Sequence, residues 1–371
     1  MLTGNNQKIS IITACYNSES YIEETILSVI NQTYSNIEYI IVDGASADGT
    51  MKIVEKYKEH IDTIISEPDN GNYEAYNKGI QASTADIIYF LNSDDYLYDE
   101  FVIENVAKYF MDNQQLSILY GNVLIKDSKD NMEMLYGRRF ELIDFKYGNM
   151  PPHQAFFVKK SLFDRFGLFD LNYEIASDFD FVIKCFKEEI ENSFYLNKTI
   201  AVFRTGGGST NYKTRVIGLK AKEQIIQKHF NVEVDLSLTE MNNNALYRLW
   251  LEKLLLEDSG ITKSLKKYKV RNVVIFGSMK TAIYLLKDLQ KEKFHVVGFI
   301  DNNVHMQGKF IENVKVFSRE WLTENQKTVD AVIMSIESKQ GDKLISQLAK
   351  ELDPHIVIMS WKQLVEPPEA K

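Results

Sequence analysis

The stretch Ile87-Ile88-Tyr89-Phe90-Leu91-Asn92-Ser93-Asp94-Asp95 decides how the first half of this chain is interpreted. Its apolar, β-branched and aromatic start is typical of a buried strand, and the run ends abruptly in two adjacent carboxylates. Ligands of open α/β sheets bind outside the carboxyl ends of the strands, so the two carboxylates are expected at a ligand site. Carboxylate oxygens suit Mg²⁺ or Mn²⁺, which such sites usually share with substrate phosphates. A polar turn that carries two aspartates by chance is the alternative.

The preceding segments favour the ligand site. Strand-like runs at 8–17, 37–43 and 62–67 alternate with helical patterns. This alternation with short connections predicts an α/β fold with a mainly parallel, doubly wound sheet and helices on both faces. Asp43 closes the second run as Asp94 and Asp95 close the fourth. The carboxyl ends of parallel strands share one edge, so the three aspartates are expected to lie together.

Five short motifs in this order resemble family 2 glycosyltransferases with a GT-A fold. They are Ile12-Thr13-Ala14-Cys15-Tyr16-Asn17, Val42-Asp43-Gly44-Ala45-Ser46-Ala47-Asp48-Gly49-Thr50, Ser66-Glu67-Pro68-Asp69-Asn70-Gly71, Ala75-Tyr76-Asn77-Lys78-Gly79 and Asn92-Ser93-Asp94-Asp95. The resemblance implies a nucleotide-sugar-binding domain at 1–212. It also implies an enzyme that moves a hexose or N-acetylhexosamine from a UDP-sugar to a hydroxyl of a glycan or lipid-linked oligosaccharide, in bacterial surface polysaccharide synthesis.

The resemblance also assigns the donor side of the site. The donor-binding residues that it implies are Thr13, Tyr16, Asn17, Asp43, Asp69, Lys78, Asn92 and Asp94. Asp43 would accept a hydrogen bond from the base of the nucleotide. For Lys78 the alternative is an ordinary solvated lysine on a helix surface.

The metal, Mn²⁺ or Mg²⁺, is assigned to Asp95 and Asp94. Asn92 departs from the family pattern, because an acid is common at its position. The cation is therefore expected to rest mainly on Asp95, with Asp94 turned to the ribose or donor sugar, but the division between the two stays open.

Three residues are expected on the acceptor side. His153 and Gln154 follow two prolines and are placed on the acceptor or diphosphate side, with a structural histidine as the alternative. Asp178 is the general base by resemblance, although a helix cap would also explain it. Asp180 is a structural acid or a second candidate for the base. One base facing the leaving diphosphate implies inversion at the anomeric carbon.

The remainder of the chain divides into smaller parts. Residues 206–208 are three glycines, expected to form a lid or a linker. Segment 213–266 is expected to be a helical connector, whose basic run leaves peripheral membrane contact as the minor alternative to helix packing. Segment 267–371 resembles the Rossmann-like N-terminal half of sugar acyltransferases. Its glycine fingerprint is broken after Gly277, which favours a non-catalytic role such as dimerisation, docking or ligand sensing over NAD or CoA chemistry.

Composition restricts the partners and the compartment. The formal net charge of −9 disfavours nucleic acid. Two distant cysteines give no disulfide framework, and no apolar run approaches the ~20 residues that span a bilayer, so a cytoplasmic protein is expected. A nucleotide-sugar-binding scaffold protein without transfer activity is the alternative function. Loss of any of Asp43, Asp94, Asp95 or Asp178 would favour it, and all four are present.

Overall fold

The computed structural model describes residues 7–127, 132–205, 212–257 and 259–365. The chain forms two compact units, Met1–Val234 and Asp235–Lys371. The segment expected as a connector is therefore shared between them, one helix lying in each unit. The three-glycine segment 206–208 lies outside the described residues.

The first unit alternates strands and helices in its first half. Its strands are β1 (Ile9–Cys15), β2 (Ile37–Asp43), β3 (Thr63–Ser66), β4 (Ile87–Phe90), β5 (Tyr96–Leu97), β6 (Ile118–Asp127), β7 (Met132–Tyr136), β8 (Phe156–Lys159) and β9 (Ser193–Arg204). Its helices are α1 (Ile22–Ile30), α2 (Thr50–Lys56), α3 (Asn72–Ala82), α4 (Val102–Asp112), α5 (Leu142–Phe145), α6 (Ser161–Phe166), α7 (Ser177–Glu189) and α8 (Tyr212–Phe230).

One sheet joins these strands. Among the described residues its order is β3-β2-β1-β4-β8-β6-β9-β5, with β7 paired to β6. The pairs among β1, β2, β3 and β4 are parallel, whereas β8 runs antiparallel to both of its neighbours. The register sets Cys15 beside Asp43 and Asp43 beside Ser66. The strands therefore end together, and the polar residues that follow them meet at one edge.

Helix α3 packs very closely on this sheet. Ala75, Tyr76 and Ile80 are buried along its inner face. A Cβ built on Gly79 would lie only 2.4 Å from Cγ2 of Ile12 in β1, so only a glycine lets the two backbones approach this far. The close packing sets the position of the whole helix, and with it the residues at its N-terminus.

The second unit is a smaller α/β domain. Its strands are β10 (Asn272–Phe276), β11 (His295–Ile300), β12 (Phe310–Ile311), β13 (Val314–Phe317), β14 (Ala331–Met334) and β15 (Val357–Ser360). Its helices are α9 (Leu236–Leu256), α10 (Lys280–Lys291), α11 (Arg319–Glu324), α12 (Lys339–Glu351) and α13 (Trp361–Val365). The strand order is β12-β13-β11-β10-β14-β15, parallel except for the β12–β13 pair. The expected α/β class is thus confirmed in both units.

Candidate active site

A cleft of about 590 Å³ opens at the carboxyl edge of the first sheet. Three segments border it: the ends of β1 and β2, and the turn that leads into α3. Its lining residues are Ala14, Cys15, Tyr16, Gly44, Ala45, Pro68, Asp69, Gly71, Asn72 and Ala75. Small-molecule sites usually have a volume of ~300–1,000 Å³, so this cleft is large enough for a nucleotide.

Asp69, not Asp43, is the acid that lines the cleft. Asp43 has no exposed surface, and its carboxylate accepts hydrogen bonds from the Ser46 amide at 3.1 Å and the Ser66 hydroxyl at 2.7 Å. Asp69 is partly exposed and accepts one bond from the Gly71 amide at 2.9 Å. Asp43 therefore holds the β2 turn from behind, whereas Asp69 presents its carboxylate to the cleft.

The three residues of the β1 loop that were expected to flank the nucleotide differ in exposure and in contacts. Thr13 is fully buried, with its hydroxyl 3.3 Å from that of Tyr39. Tyr16 is 63% exposed at the cleft. Asn17, in the left-handed region with a φ of 49°, accepts a hydrogen bond from the Ala47 amide at 2.9 Å. Tyr16 can contact a ligand, whereas Asn17 fixes the two loops to each other.

The carboxylate pair after β4 has one accessible member. Asp95 has no exposed surface; its Oδ1 accepts the backbone amide of Arg204 at 3.0 Å and its Oδ2 accepts the Asn92 amide at 3.2 Å. Burial, and then the neighbouring charge of Asp94, raise the pKa of Asp95 to about 7. Asp94 is partly exposed, and burial raises its pKa as well. Asp94 is thus the carboxylate that a ligand can reach, while Asn92 and Arg204 support its neighbour.

Lys78 braces the loop beside the cleft. Its ammonium lies 3.0 Å from a Glu67 carboxylate oxygen and 3.3 Å from one of Glu74, and it donates to the Pro68 carbonyl at 3.2 Å. These contacts join α3 to the segment that carries Asp69. Lys78 thereby helps to position the segment that borders the cleft, and its donor-side role stays a prediction.

The acceptor-side residues meet at the start of α7. Asp178 lies in the first turn of this helix, and its Oδ1 accepts a hydrogen bond from the hydroxyl of Tyr73 at 2.8 Å. His153 stacks on the ring of Phe90 and places Nδ1 3.6 Å from Oδ2 of Asp178. Burial lowers the pKa of His153, so the imidazole is neutral near pH 7. Gln154, the next residue, hydrogen bonds to the side chain of Asp95.

Asp180 belongs to a different contact. It is 1% exposed, and its carboxylate lies 2.7 Å from the Lys184 ammonium, 3.0 Å from that of Lys228 and 2.8 Å from Nε2 of His229. Burial alone would raise the pKa of Asp180, but the hydrogen bonds from His229 and the two lysines hold it well below its usual value. Asp180 therefore joins α7 to α8, a structural role that leaves Asp178 as the candidate base.

Tyr76 connects the two halves of the site. Its hydroxyl donates to the side chain of Asn92, and its ring lies 5.5 Å from that of His153. Burial raises the pKa of Tyr76 strongly, and the charges of Asp178, Asp95 and Asp94 raise it further. Asn92 in turn bonds to Asp95 at 3.2 Å, and His153 lies 3.6 Å from Asp178, so Tyr76 links carboxylates from distant parts of the chain.

Comparison with known proteins agrees with this arrangement. Residues 10–166 match the family described as Glycosyl transferase family 2. A glycosyltransferase of PGL/p-HBAD biosynthesis from Mycobacterium bovis is 28% identical over 205 residues, covering 54% of this chain and 78% of the relative. An uncharacterized glycosyltransferase from Mycobacterium tuberculosis is 31% identical over 179 residues, covering 47% of this chain and 68% of the relative. The chain belongs to glycosyltransferase family 2. It is a glycosyltransferase, and the GT-A fold predicted for its first unit is confirmed.

Solved structures resemble this family 2 enzyme only distantly. A mannosyltransferase from Pyrobaculum calidifontis in complex with GDP-Man and Mn²⁺ is 16% identical with a TM-score of 0.48, covering 76% of this chain and 79% of that one. Staphylococcus aureus TarS in complex with UDP-GlcNAc is 21% identical with a TM-score of 0.46, covering 62% and 68%. Among the described residues, no helix is both long and apolar enough to span a membrane.

Three residues of the site were not expected from the sequence of this glycosyltransferase. Tyr73 bonds to Asp178, Tyr76 bonds to Asn92, and Arg204 supports the two aspartates from the end of β9. The tyrosines lie three positions apart and so share one face of α3, which is a visible signal. Nothing in the sequence indicates that their face is turned toward the carboxylates.

Proposed function

We propose that this family 2 enzyme is an inverting, metal-dependent glycosyltransferase. It moves a hexose or N-acetylhexosamine from a UDP-sugar to a hydroxyl of a glycan or lipid-linked oligosaccharide of the bacterial surface. The observation that carries the proposal is the link through Tyr76. Its hydroxyl bonds to Asn92, which bonds to Asp95, and its ring lies against His153, which is 3.6 Å from Asp178. The Mycobacterium bovis relative is named as a glycosyltransferase of PGL/p-HBAD biosynthesis, which supports a biosynthetic transferase.

The cleft suits a nucleotide and its diphosphate. Asp69 offers the partly exposed carboxylate that could accept a hydrogen bond from a base N–H. Gly71 and Asn72, at the first turn of the 11-residue helix α3, also line the cleft. The free amides and the dipole of a helix N-terminus favour a bound phosphate. Base and diphosphate can therefore be bound by one continuous segment of chain.

The carboxylate pair fits a divalent cation held jointly with the substrate. No group of three or more His, Cys, Asp or Glu side chains that could hold a metal occurs in the described part of the chain. Mg²⁺ is usually bound by only one or two carboxylates together with substrate phosphates and water, so a pair of aspartates is enough. Asp94 would hold the ion through its accessible oxygens, with Asp95 behind it. When bound, the metal supplies Lewis-acid stabilisation of the leaving diphosphate.

Asp178 is proposed to remove the proton from the acceptor hydroxyl. It is 19% exposed, so a substrate can reach it. Tyr73 occupies its Oδ1, and its Oδ2 makes no side-chain contact shorter than the 3.6 Å to His153 among the described residues. One base acting on the nucleophile, with no second nucleophile of the protein on the path, gives a single displacement and inversion. His153 and Gln154 would border the acceptor between this base and Asp95.

A screen of nucleotide sugars tests the proposal. The purified enzyme is incubated with UDP-glucose, UDP-galactose, UDP-GlcNAc and GDP-Man, with Mn²⁺ or with a chelator, and the released nucleoside diphosphate is measured. We expect release from one UDP-sugar, dependent on the cation, and its loss in Asp178→Asn by a factor of ~10² or more. The Asp178→Asn variant should still bind UDP in calorimetry. Full turnover by Asp178→Asn would refute the base assignment, and identical UDP affinity in chelator would refute the metal role.

The same screen separates the enzyme from a scaffold. Binding of a nucleotide sugar without release of nucleoside diphosphate under any condition would support a binding protein. Asp180→Asn is the matched control, because it removes a carboxylate from the same helix at a position two residues away. Its turnover should stay close to that of the unmodified enzyme at a temperature where both are folded.

A further inference from the structure

We propose that Tyr73 is a positioning residue for the transfer reaction: its hydroxyl holds the Asp178 carboxylate in its working orientation and links it to the helix that borders the donor cleft. The inference rests on the proposed role of Asp178 as the base. It adds a residue that the sequence motifs do not assign, and it adds a physical connection between the donor and acceptor sides.

The hydroxyl of Tyr73 is fully engaged at the start of α7. It donates to Oδ1 of Asp178 at 2.8 Å and accepts the backbone amide of Ala176 at 3.1 Å. Ala176 has a φ of 76°, in the left-handed region that a residue with a side chain rarely adopts. One phenol therefore fixes both the carboxylate and the unusual backbone turn that presents it.

In the hydrogen bond between Tyr73 and Asp178, the phenol is the donor and the carboxylate is the acceptor. Burial, and then the charge of Asp178, raise the pKa of Tyr73 well above its ordinary value, so the phenol keeps its proton. It can therefore only donate to the carboxylate, which fixes the orientation of the Asp178 side chain. A general base must face the proton that it removes, so the contact supports the working orientation of Asp178.

The other groups that face Asp178 leave this contact to Tyr73. His153 is 3.6 Å away, beyond hydrogen-bonding distance. Tyr76 and Lys222 interact with Asp178 electrostatically, while the Tyr76 hydroxyl donates to Asn92 and the Lys222 ammonium to the Gly148 carbonyl. Among the described residues, Tyr73 is the side chain that hydrogen bonds to the base.

Because Tyr73 lies on α3, it also connects Asp178 to the donor side of the site. Asn72, the residue before it, lines the cleft, and Tyr76, one turn later, bonds to Asn92. A shift of α3 on donor binding would therefore move the hydroxyl that holds the base. The ring of Tyr73 packs against Phe169 at 5.4 Å, so a phenylalanine at this position keeps the packing and loses only the two hydrogen bonds.

The test compares Tyr73→Phe with Asp178→Asn and with a matched control. The control is Tyr120→Phe, another buried tyrosine of the first unit, whose hydroxyl accepts the Phe140 amide at 3.1 Å. The readouts are kcat and KM for nucleoside diphosphate release from the UDP-sugar that the screen identifies, with water as acceptor. UDP affinity by calorimetry and the melting temperature show whether each variant is folded.

We expect Tyr73→Phe to lower kcat about ten-fold while UDP affinity stays within about two-fold. The KM for the UDP-sugar should also stay within about two-fold of the unmodified enzyme, because the donor-side contacts are kept. Tyr120→Phe should leave both kcat and KM in place.

Two results would overturn the inference while leaving the base assignment intact. One is an inactive Asp178→Asn beside a Tyr73→Phe variant with unchanged kcat. The other is a Tyr73→Phe variant whose loss of kcat is accompanied by an equal loss of UDP affinity or by a lower melting temperature, which would show a purely structural role. A fully active Asp178→Asn would instead refute the proposed base, and the positioning role with it.

Discussion

Replacement of Gly79 by alanine tests the contact that positions the site. A Cβ at this position would lie 2.4 Å from Cγ2 and 3.3 Å from Cδ1 of Ile12. Carbon atoms pack best at about 3.5–4.0 Å, so helix and strand must separate by roughly 1 Å or more. Ile12 has no exposed surface, and its Cγ2 branches next to the backbone, so it cannot rotate away cheaply. The strain therefore falls on the packing of α3 against β1.

The magnitude follows from two opposing effects. Overpacking a well-packed core costs about 1–3 kcal/mol. Alanine in place of glycine inside a helix returns up to about 1 kcal/mol. We expect Gly79→Ala to lower the free energy of unfolding by about 1–2 kcal/mol. Turnover should also fall, because α3 carries the tyrosines that hold Asp178 and Asn92.

Urea unfolding of Gly79→Ala, Ile12→Ala and the double variant provides the assay. Ile12→Ala removes the methyl group that the new Cβ meets, so Gly79→Ala should cost less in that background, with a coupling energy of about 1 kcal/mol. An alanine at 79 that is neutral or stabilising alone, or a cycle with no coupling, would refute the close approach of α3 and β1.

Two further variants test buried charges. Burial alone would raise the pKa of Glu38, but hydrogen bonds from Lys8, Ser10 and Thr84 lower it from 4.5 to about 2. The carboxylate thus stabilises the fold above its unfolded pKa, and this contribution is lost as pH falls toward 2. Glu38→Gln should cost about 1 kcal/mol at pH 7 and progressively less below pH ~4 in urea unfolding, and a cost that is constant with pH would contradict this. Asp180→Asn should lower the free energy of unfolding by about 1–2 kcal/mol at pH 7, because it leaves three basic groups facing an uncharged amide. A loss of turnover without a loss of stability would contradict the structural role of Asp180.

The sequence supports the fold and the family more firmly than the roles of single residues. Periodicity predicted the alternating elements, and the motif order identified the glycosyltransferase family. Both are confirmed, because strand burial and loop spacing are local properties. Segment 213–266 was expected to be a helical connector. Its helix α8 lies in the first unit, where Lys228 pairs with Asp180, and such long-range ion pairing has no local signal in the sequence.

The roles of residues within the site depend on the direction in which each side chain points. The sequence motifs do not specify that direction. Asp43 and Asp69 are both acids that follow the core of a strand. The Asp43 carboxylate is used by hydrogen bonds from Ser46 and Ser66, whereas Asp69 lines the cleft. Asp95 was expected to be the main metal ligand, whereas its burial leaves Asp94 accessible. These roles stay proposals until the variants are measured.

The ion cluster around Asp180 has a practical consequence for anyone who wishes to study the catalytic half by itself. A shortened chain that stopped at the end of β9 would lack Lys228 and His229. The buried Asp180 carboxylate would keep Lys184 but lose two of its three basic partners, on the helix that carries Asp178 in its first turn. An isolated catalytic half therefore has to run through Phe230 to keep that helix in place.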